Sequence, residues 1–361
     1  MTGEPLHELP TPALVADRHR LTRNIADMAA LTDRAGVRLR PHFKTSKCLQ
    51  VARLQLDHGA IGFTCATPAE VTLLQDAGVP DLLWAHQPIG PAKVGFAVQA
   101  NTKSTVTVAL DSVEAATPLA SAASAAGVRV PYLIEVDTGL GRAGVAPDRT
   151  PALAAALARL PGLELRGVFT HEGHLARHVA DRDELRTAGR QAGTTLSEVA
   201  RTLTDAGHRC ETVSVGSTPG ADSAPFAPGI TEARPGTYVY YDANQVALGS
   251  ATADRCALTV LTTVVSTPRP GTAITDAGLK AMSSDASVHG TGFGTITPDL
   301  AFHTANEEHG YLSGPGCTSL QVGDQLQVVP NHACGTVNMW STIHVTEDGI
   351  VTDRWPIRAR R

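Results

Sequence analysis

The stretch Arg40-Pro41-His42-Phe43-Lys44-Thr45-Ser46-Lys47 decides how the chain is read. It follows the short apolar alternation of Val37 and Leu39 and precedes an amphipathic run. That pattern predicts a β-strand end leading into a helix. A lysine at the C-terminal end of a barrel strand points into the face where α/β barrels keep their active sites. Lysine also forms Schiff bases with aldehyde cofactors once its amine is nucleophilic. Alone, the stretch reads as an exposed basic turn; its surroundings decide otherwise.

Outward from it, β-branched runs alternate with longer amphipathic ones between Pro12 and Gly249. Expected strands are Ala13–Ala16, Val37–Phe43, Ile61–Cys65, Leu82–His86, Thr105–Leu110, Tyr132–Asp137, Leu165–Thr170 and Thr212–Gly216. Expected helices between them include Arg18–Ala35, Ala69–Ala77, Val113–Ala126, Pro151–Leu160 and Asp181–Ala206. Thr67-Pro68-Ala69-Glu70 carries a helix-start signature: a Thr cap, Pro at the first helical position and Glu at the third. Eight alternations without hairpins predict a parallel sheet closed into a (β/α)8 barrel over 13–249. After Gly249 the runs Ala257–Val265, Thr272–Ile274, Gln325–Val329 and Thr342–Val345 are β-rich and separated by Gly, Pro and Asn. They predict a mostly antiparallel β domain over 250–361, joined by residues 1–12.

Composition narrows the class of function. The chain has 361 residues, 42% hydrophobic and 18% charged, which suits a globular protein with a sizeable core rather than a disordered one. A net charge of −5 implies no basic face, so nucleic acid is not an expected partner. No apolar run of membrane-spanning length and no signal-peptide core occurs, so a cytoplasmic protein with no membrane partner is expected. The six cysteines lack paired spacing, which suits reduced thiols.

Three motifs carry chemistry. Glu135–Gly144 (EVDTGLGRAG) ends a strand in a Gly-rich loop whose Arg142 could hold an anionic cofactor oxygen. Val213–Pro219 (VSVGSTP) ends the expected eighth strand, with Gly216 allowing close backbone approach to an oxyanion and Ser217 and Thr218 adding hydroxyls. Barrel phosphate sites commonly follow strands seven and eight. With Lys44 on the expected second strand, this makes a coherent pyridoxal phosphate site. A second donor cluster is Arg234-Pro235-Gly236-Thr237-Tyr238. Third, Pro330–Asn338 (PNHACGTVN) would, if extended, project His332 and Cys334 from one face towards a single ion. Imidazole with thiolate favours zinc, and two ligands leave positions for water and substrate.

Taken in order, RPHFKTSK, ATPAEV, VDTGLGRAGV, RGVFTHEGH, VGSTP, EARPGTYVYYD, DAGLKAMSSD, EEHG and PNHACGTVN closely resemble one family. It comprises the barrel-type pyridoxal phosphate enzymes acting on β-hydroxy-D-amino acids, related to the alanine racemase fold. D-serine dehydratases, D-threo-3-hydroxyaspartate dehydratases and D-threonine aldolases belong to it. The resemblance implies that Lys44 carries the cofactor and that Arg142 contacts its phenolic oxygen. It implies a phosphate held by Gly216, Ser217 and Thr218 and by Gly236, Thr237 and Tyr238. Arg234 stands where alanine racemases reach the pyridine nitrogen, a role left open here. His332 and Cys334 match the family's metal pair, with zinc expected above manganese or magnesium, and a homodimer is implied. Two departures bear on the substrate: Ser46 and Ala176 stand where the family often has a histidine and a tyrosine.

The resemblance leaves two lyase reactions open. A dehydratase gives a 2-oxo acid and ammonia; an aldolase gives glycine and an aldehyde. His-x-Cys leans towards the dehydratases, since the better-known aldolases carry His-x-Asp. A racemase would need a second base, and Tyr311, the only tyrosine after Tyr241, has nothing around it suggesting that role. A non-catalytic cofactor carrier would need neither the β domain nor the metal pair. Asp276 and Asp285 read more as turn or interface residues than as pocket residues.

Overall fold

A computed structural model describes residues 3–290, 292–297 and 299–360. The chain divides into two compact units, Asp27–Lys44 with Ala52–Gly236, and the remainder: up to Ala26, Thr45–Val51 and Thr237–Arg360.

The first unit is a parallel barrel of eight strands: Arg38–Leu39, Phe63–Cys65, Asp81–Trp84, Thr105–Leu110, Val130–Glu135, Leu163–Phe169, Thr212–Val215 and Glu232–Ala233. The eighth pairs with both the seventh and the first. The ring closes between first and second through the bridge of His42 with Thr64 and the bonds Ile61 N to Leu39 O (2.9 Å) and Thr64 N to Pro41 O (2.8 Å). Leu83, Ala109, Leu133 and Phe169, from four consecutive strands, form one buried cluster. The helix over Pro68–Asp76 starts as its sequence predicts. Thr67 Oγ1 accepts from Glu70 N, and Glu70 Oε2 accepts from Ala66 N at 2.7 Å. The first bond satisfies an amide the helix itself cannot, and the second ties Glu70 back to the residue before the cap.

Two strand assignments change. Ala13–Asp17 is not a barrel strand. It lies in the other unit's sheet, antiparallel to Leu258–Arg269 and parallel to Thr342–Glu347. Ala13–Ala16 is fully buried, and a central strand covered on both faces has the continuous apolar look of a barrel strand. The missing eighth strand is Glu232–Ala233, too short to show any period. Thr212–Val215 is therefore the seventh strand, and Lys44 follows the first.

The second unit is built on a closed antiparallel ring. Leu258–Arg269 pairs with Thr272–Thr275, which continues through Gly310–Ser313, Leu300–Ala305, Gly294–Thr297 and Gln325–Pro330 back to Leu258–Arg269. Ala13–Asp17, Thr342–Glu347, Ile350–Pro356 and Glu4–Pro5 extend the sheet beyond it. This unit takes the chain from Thr237 rather than from residue 250. Among the described residues, no helix is long and apolar enough to cross a membrane.

Candidate active site

Lys44 sits in a single 3-10 turn, Phe43–Thr45, directly beyond the first barrel strand. The turn is anchored where His42 N donates to Pro235 O at 3.0 Å. Three histidines share the electrostatic surroundings of this lysine. Burial, then the Lys44 charge, hold His42 well below its ordinary value, and Arg234 adds to the effect. His171 is lowered to about 3 by burial, then by Lys44, with Arg142 and Arg234 contributing. His86 is lowered by burial and then by Arg142. Burial first, and then the cations gathered around them, hold these imidazoles below their ordinary value.

Arg142 is exposed on its Gly-rich loop, with a guanidinium nitrogen 3.8 Å from Glu135 Oε1. Asp137 shapes that loop by accepting from Gly139 N (2.9 Å) and Gly141 N (3.1 Å), at residues whose φ of 134° and 70° suits glycine. Arg234 is buried. Its Nε donates to Ser214 Oγ at 2.8 Å, another nitrogen donates to Thr170 O, and its guanidinium lies 4.9 Å from the Phe169 ring centre. Behind it, Ser214 Oγ donates to Glu232 Oε1 (2.7 Å), and Glu232 Oε2 accepts from Arg40 Nε (2.8 Å). Arg40, at the head of the stretch that opened the reading, is thus a buried structural arginine.

Gly216, Ser217 and Thr218 follow the seventh strand, and Arg234 to Tyr238 follow the eighth. Both segments therefore stand where barrel phosphate sites commonly lie. Gly216 is needed for a reason other than the expected one. A Cβ there would sit 2.9 Å from Arg234 Cβ and 3.0 Å from its Cζ. Its N–H is already engaged by the buried carboxylate of Glu172, at 3.0 and 3.2 Å from the two oxygens. That amide is not a phosphate donor in this arrangement. Ser217 Oγ accepts from Gly220 N at 3.1 Å. Tyr238 is fully buried, and the Thr237 hydroxyl lies 3.8 Å from the Cys334 sulfur.

In the second unit, Pro330–Asn338 is not extended throughout. His332 is the extended N-cap residue (φ −140°, ψ 106°) of a short helix, Ala333–Met339, and Cys334 lies in its first turn. The two side chains are still brought into hydrogen-bonding contact. Asp242, buried, fixes the helix start by accepting from Ala333 N at 2.9 Å, and burial raises its own value to about 6. His332 Nδ1 is 2.8 Å from Asp285 Oδ2. A Cβ at Gly335 would meet that oxygen at 2.0 Å, so glycine leaves room for the carboxylate. His332 is pushed up to about 11, first by the Cys334 charge and then, against burial, by Asp285. Its hydrogen bond holds Asp285 below the usual carboxylate value. Cys334 Sγ also lies 3.2 Å from Thr45 Oγ1.

Asp285 is therefore not a turn residue; it orients His332. Asp276 is structural, accepting from Thr262 Oγ1 (2.7 Å), Thr263 N (2.9 Å) and Thr11 Oγ1 (2.6 Å). Glu308 pairs with Lys280 at 3.1 Å, and Tyr311 OH donates to Asn306 Oδ1 at 2.6 Å. Among the described residues, no three His, Cys, Asp or Glu side chains come together as a metal-holding group. The donor chemistry present fits a divalent cation at an open site: a thiol touching an imidazole whose Nδ1 is held by a carboxylate. The barrel's donor set, a lysine amine with Arg142 and Arg234 in one electrostatic neighbourhood, fits an anionic aldehyde.

A family profile described as alanine racemase, N-terminal domain, matches residues 16–244, and one for a serine dehydratase domain matches residues 257–346. The chain is 33% identical to a D-threonine aldolase of Arthrobacter sp. over 99% of this chain and 94% of that protein. It is 36% identical to a D-threo-3-hydroxyaspartate dehydratase of Delftia sp. over 92% of this chain and 93% of that protein. The solved structure of the Delftia dehydratase superposes with a TM-score of 0.92, covering 98% of each chain at 34% identity. That of a D-threonine aldolase from Filomicrobium marinum gives 0.91 at 30% identity, covering 100% of this chain and 98% of that one. Two further solved structures of D-threo-3-hydroxyaspartate dehydratase are a His→Ala and a Cys→Ala mutant at positions two apart, the second in a metal-free form.

Proposed function

Because the chain belongs to the alanine racemase-like family of dehydratases and aldolases, we propose that it is a lyase of β-hydroxy-D-amino acids and a dehydratase among them. Its substrate on this reading is D-serine or D-threo-3-hydroxyaspartate, converted to a 2-oxo acid and ammonia. The observation that carries the choice is His332 in contact with Cys334 and held by Asp285. A histidine and a cysteine at the same two-residue spacing were altered in two separate solved dehydratase mutants, and the cysteine change accompanies a metal-free form.

The cofactors are pyridoxal 5'-phosphate and a divalent metal, zinc before manganese or magnesium because one ligand is a thiolate. When bound, the first supplies an electron sink for a bond broken at Cα and the second a Lewis acid for the β-hydroxyl. The chain's residues do the rest. Lys44 would hold the aldehyde carbon at rest, and its amine, once released by the substrate's, would be the base for the α-proton. Arg142 contacts the phenolic oxygen. Ser217, Thr218, Gly236, Thr237 and Tyr238 take the phosphate, with Gly216 shaping the turn rather than donating. Arg234 is held by its bonds to Ser214 and Thr170, and it would be the residue beside the pyridine nitrogen if that contact is made. His42 and His171, held neutral by burial and then by the cations around them, add no positive charge that would compete for the substrate carboxylate. Asp285 occupies the Nδ1 proton of His332, which leaves Nε2 as the ligand nitrogen.

We assign a homodimer, from the family resemblance, and a cytoplasmic setting, which six free cysteines support. Aldol cleavage is the second reading, favoured by the aldolase likeness over 99% of the chain. Mass spectrometry of products decides between them. Zinc-supplemented protein is given D-serine, D-threonine and D-threo-3-hydroxyaspartate, with L-isomers as controls. A 2-oxo acid plus ammonia is expected. Glycine plus an aldehyde would replace the dehydratase with the aldolase.

A further inference from the structure

His171 and Glu172 are consecutive residues just past the sixth barrel strand, and between them they hold both backbone polar groups of one residue, Gly216. Glu172 receives the N–H of Gly216 on both carboxylate oxygens, at 3.0 and 3.2 Å. His171 Nδ1 donates to the carbonyl of the same Gly216. On its third side, the α-carbon of Gly216 has Arg234 so close that no Cβ would fit. The residue that opens the Ser217–Thr218 turn is therefore fixed in position and orientation.

Glu172 is 1% exposed, and a carboxylate buried that far is costly unless its oxygens are well partnered. Burial raises its proton affinity, while Arg234, the Gly216 amide and the Ser217 hydroxyl oppose the rise. Arg234's hydrogen bonds run to Ser214 and Thr170, so Glu172 is not simply the acceptor half of an arginine pair. Its partners are the first two residues of the turn. A void of about 10 Å³ lies on its side, lined by Glu172, Gly216, Ser217, Gly220, Ala224 and Arg234. That is the size of one water at most, so a phosphate has no room there.

We propose that Glu172, with His171, is a positioning residue for the cofactor's phosphate: it holds the Gly216 peptide so that Ser217 and Thr218 present a preformed phosphate seat. This deepens the reading given above and rests on it. Preorganised donors bind without a further ordering cost, so the effect falls on affinity for the phosphate-bearing cofactor.

The test titrates the full-length protein, freed of cofactor, with pyridoxal 5'-phosphate and separately with pyridoxal. Binding is followed through the imine absorbance at roughly 420 nm. For Glu172→Ala the structure predicts at least a tenfold loss of affinity for the phosphate-bearing form and less than a twofold change for pyridoxal. Glu172→Gln, which keeps one acceptor oxygen for Gly216 N, should recover most of the loss. An equal loss for both ligands, or no loss for either, would overturn the proposal and leave Glu172 a fold residue. Should Glu172→Ala not fold, the same affinity ratio is read from His171→Ala, which removes the donor to the Gly216 carbonyl, and an unchanged ratio there overturns the proposal. If the wild-type protein itself shows no preference for the phosphate-bearing form, the cofactor reading fails first, independently of Glu172.

Discussion

His171 in the barrel and His332 in the β unit are the same side chain placed in opposite fields. Around His171 stand Lys44, Arg142 and Arg234, and its ring is lowered to about 3. Around His332 stand Cys334, Asp285 and Asp242, and its ring is raised to about 11. Burial alone would lower both. The sign of the neighbours decides the difference, and that sign says what each region is built to receive. Cations gathered at strand ends suit an anionic cofactor. A thiol and two carboxylates around an imidazole suit a cation. The contrast needs no bound group to be visible.

Removing the centre of each region is the strongest way to break this comparison. Lys44→Ala should abolish turnover, a loss of more than about 10²–10⁴-fold for the base alone. It should also remove the imine absorbance, while zinc content, measured by atomic absorption, stays at the wild-type level. If the absorbance survived, a different lysine would be the carrier and the cationic cluster would lose its meaning. Asp285→Ala acts on the other side and should be smaller. Loss of an outer carboxylate typically weakens a metal site by about 10–100-fold. A chelator competition should register that loss with the imine absorbance unchanged. Metal affinity equal to wild type would mean that Asp285 orients nothing the ion uses.

What was legible in the sequence, and what was not, follows the range of the forces involved. Thr67, Pro68 and Glu70 announce a helix start because capping is local, and the structure has the Thr67 cap they predict, with Glu70 reaching back to Ala66 N. Ala13–Ala16 misled because a strand covered on both faces looks the same in any sheet, and its partners lie more than 200 residues away. Glu232–Ala233 escaped because two residues carry no period. His332 and Cys334 were visible as a donor pair. Their route into contact was not, since the chain turns helical directly after His332 under the hold of Asp242. Asp285 and Glu172 act on partners 47 and 44 positions distant, and nothing in their own neighbourhoods signals it. The fold class needed only alternation; the residues that position the site needed the fold.

The finest prediction uses pH, where the barrel's side of the contrast becomes a stability effect. In the folded chain His171 takes up a proton only near pH 3; in the unfolded chain it does so near its ordinary value of about 6.5. Between those limits the unfolded state binds more protons, so stability rises with pH across the window and falls as the solution is acidified. The contribution is fully present above about pH 6.5. His42, also held low, contributes in the same direction. His171→Asn keeps a donor for the Gly216 carbonyl but cannot titrate. Urea unfolding at several pH values between 7.5 and 4 (set roughly by this window) should therefore show a shallower acid loss for the variant than for the wild type, with similar stability at the upper end. An identical slope would mean that the native ring takes up its proton as the unfolded one does, so that neither burial nor the neighbouring cations lower it. The cationic half of the comparison would then have to be withdrawn.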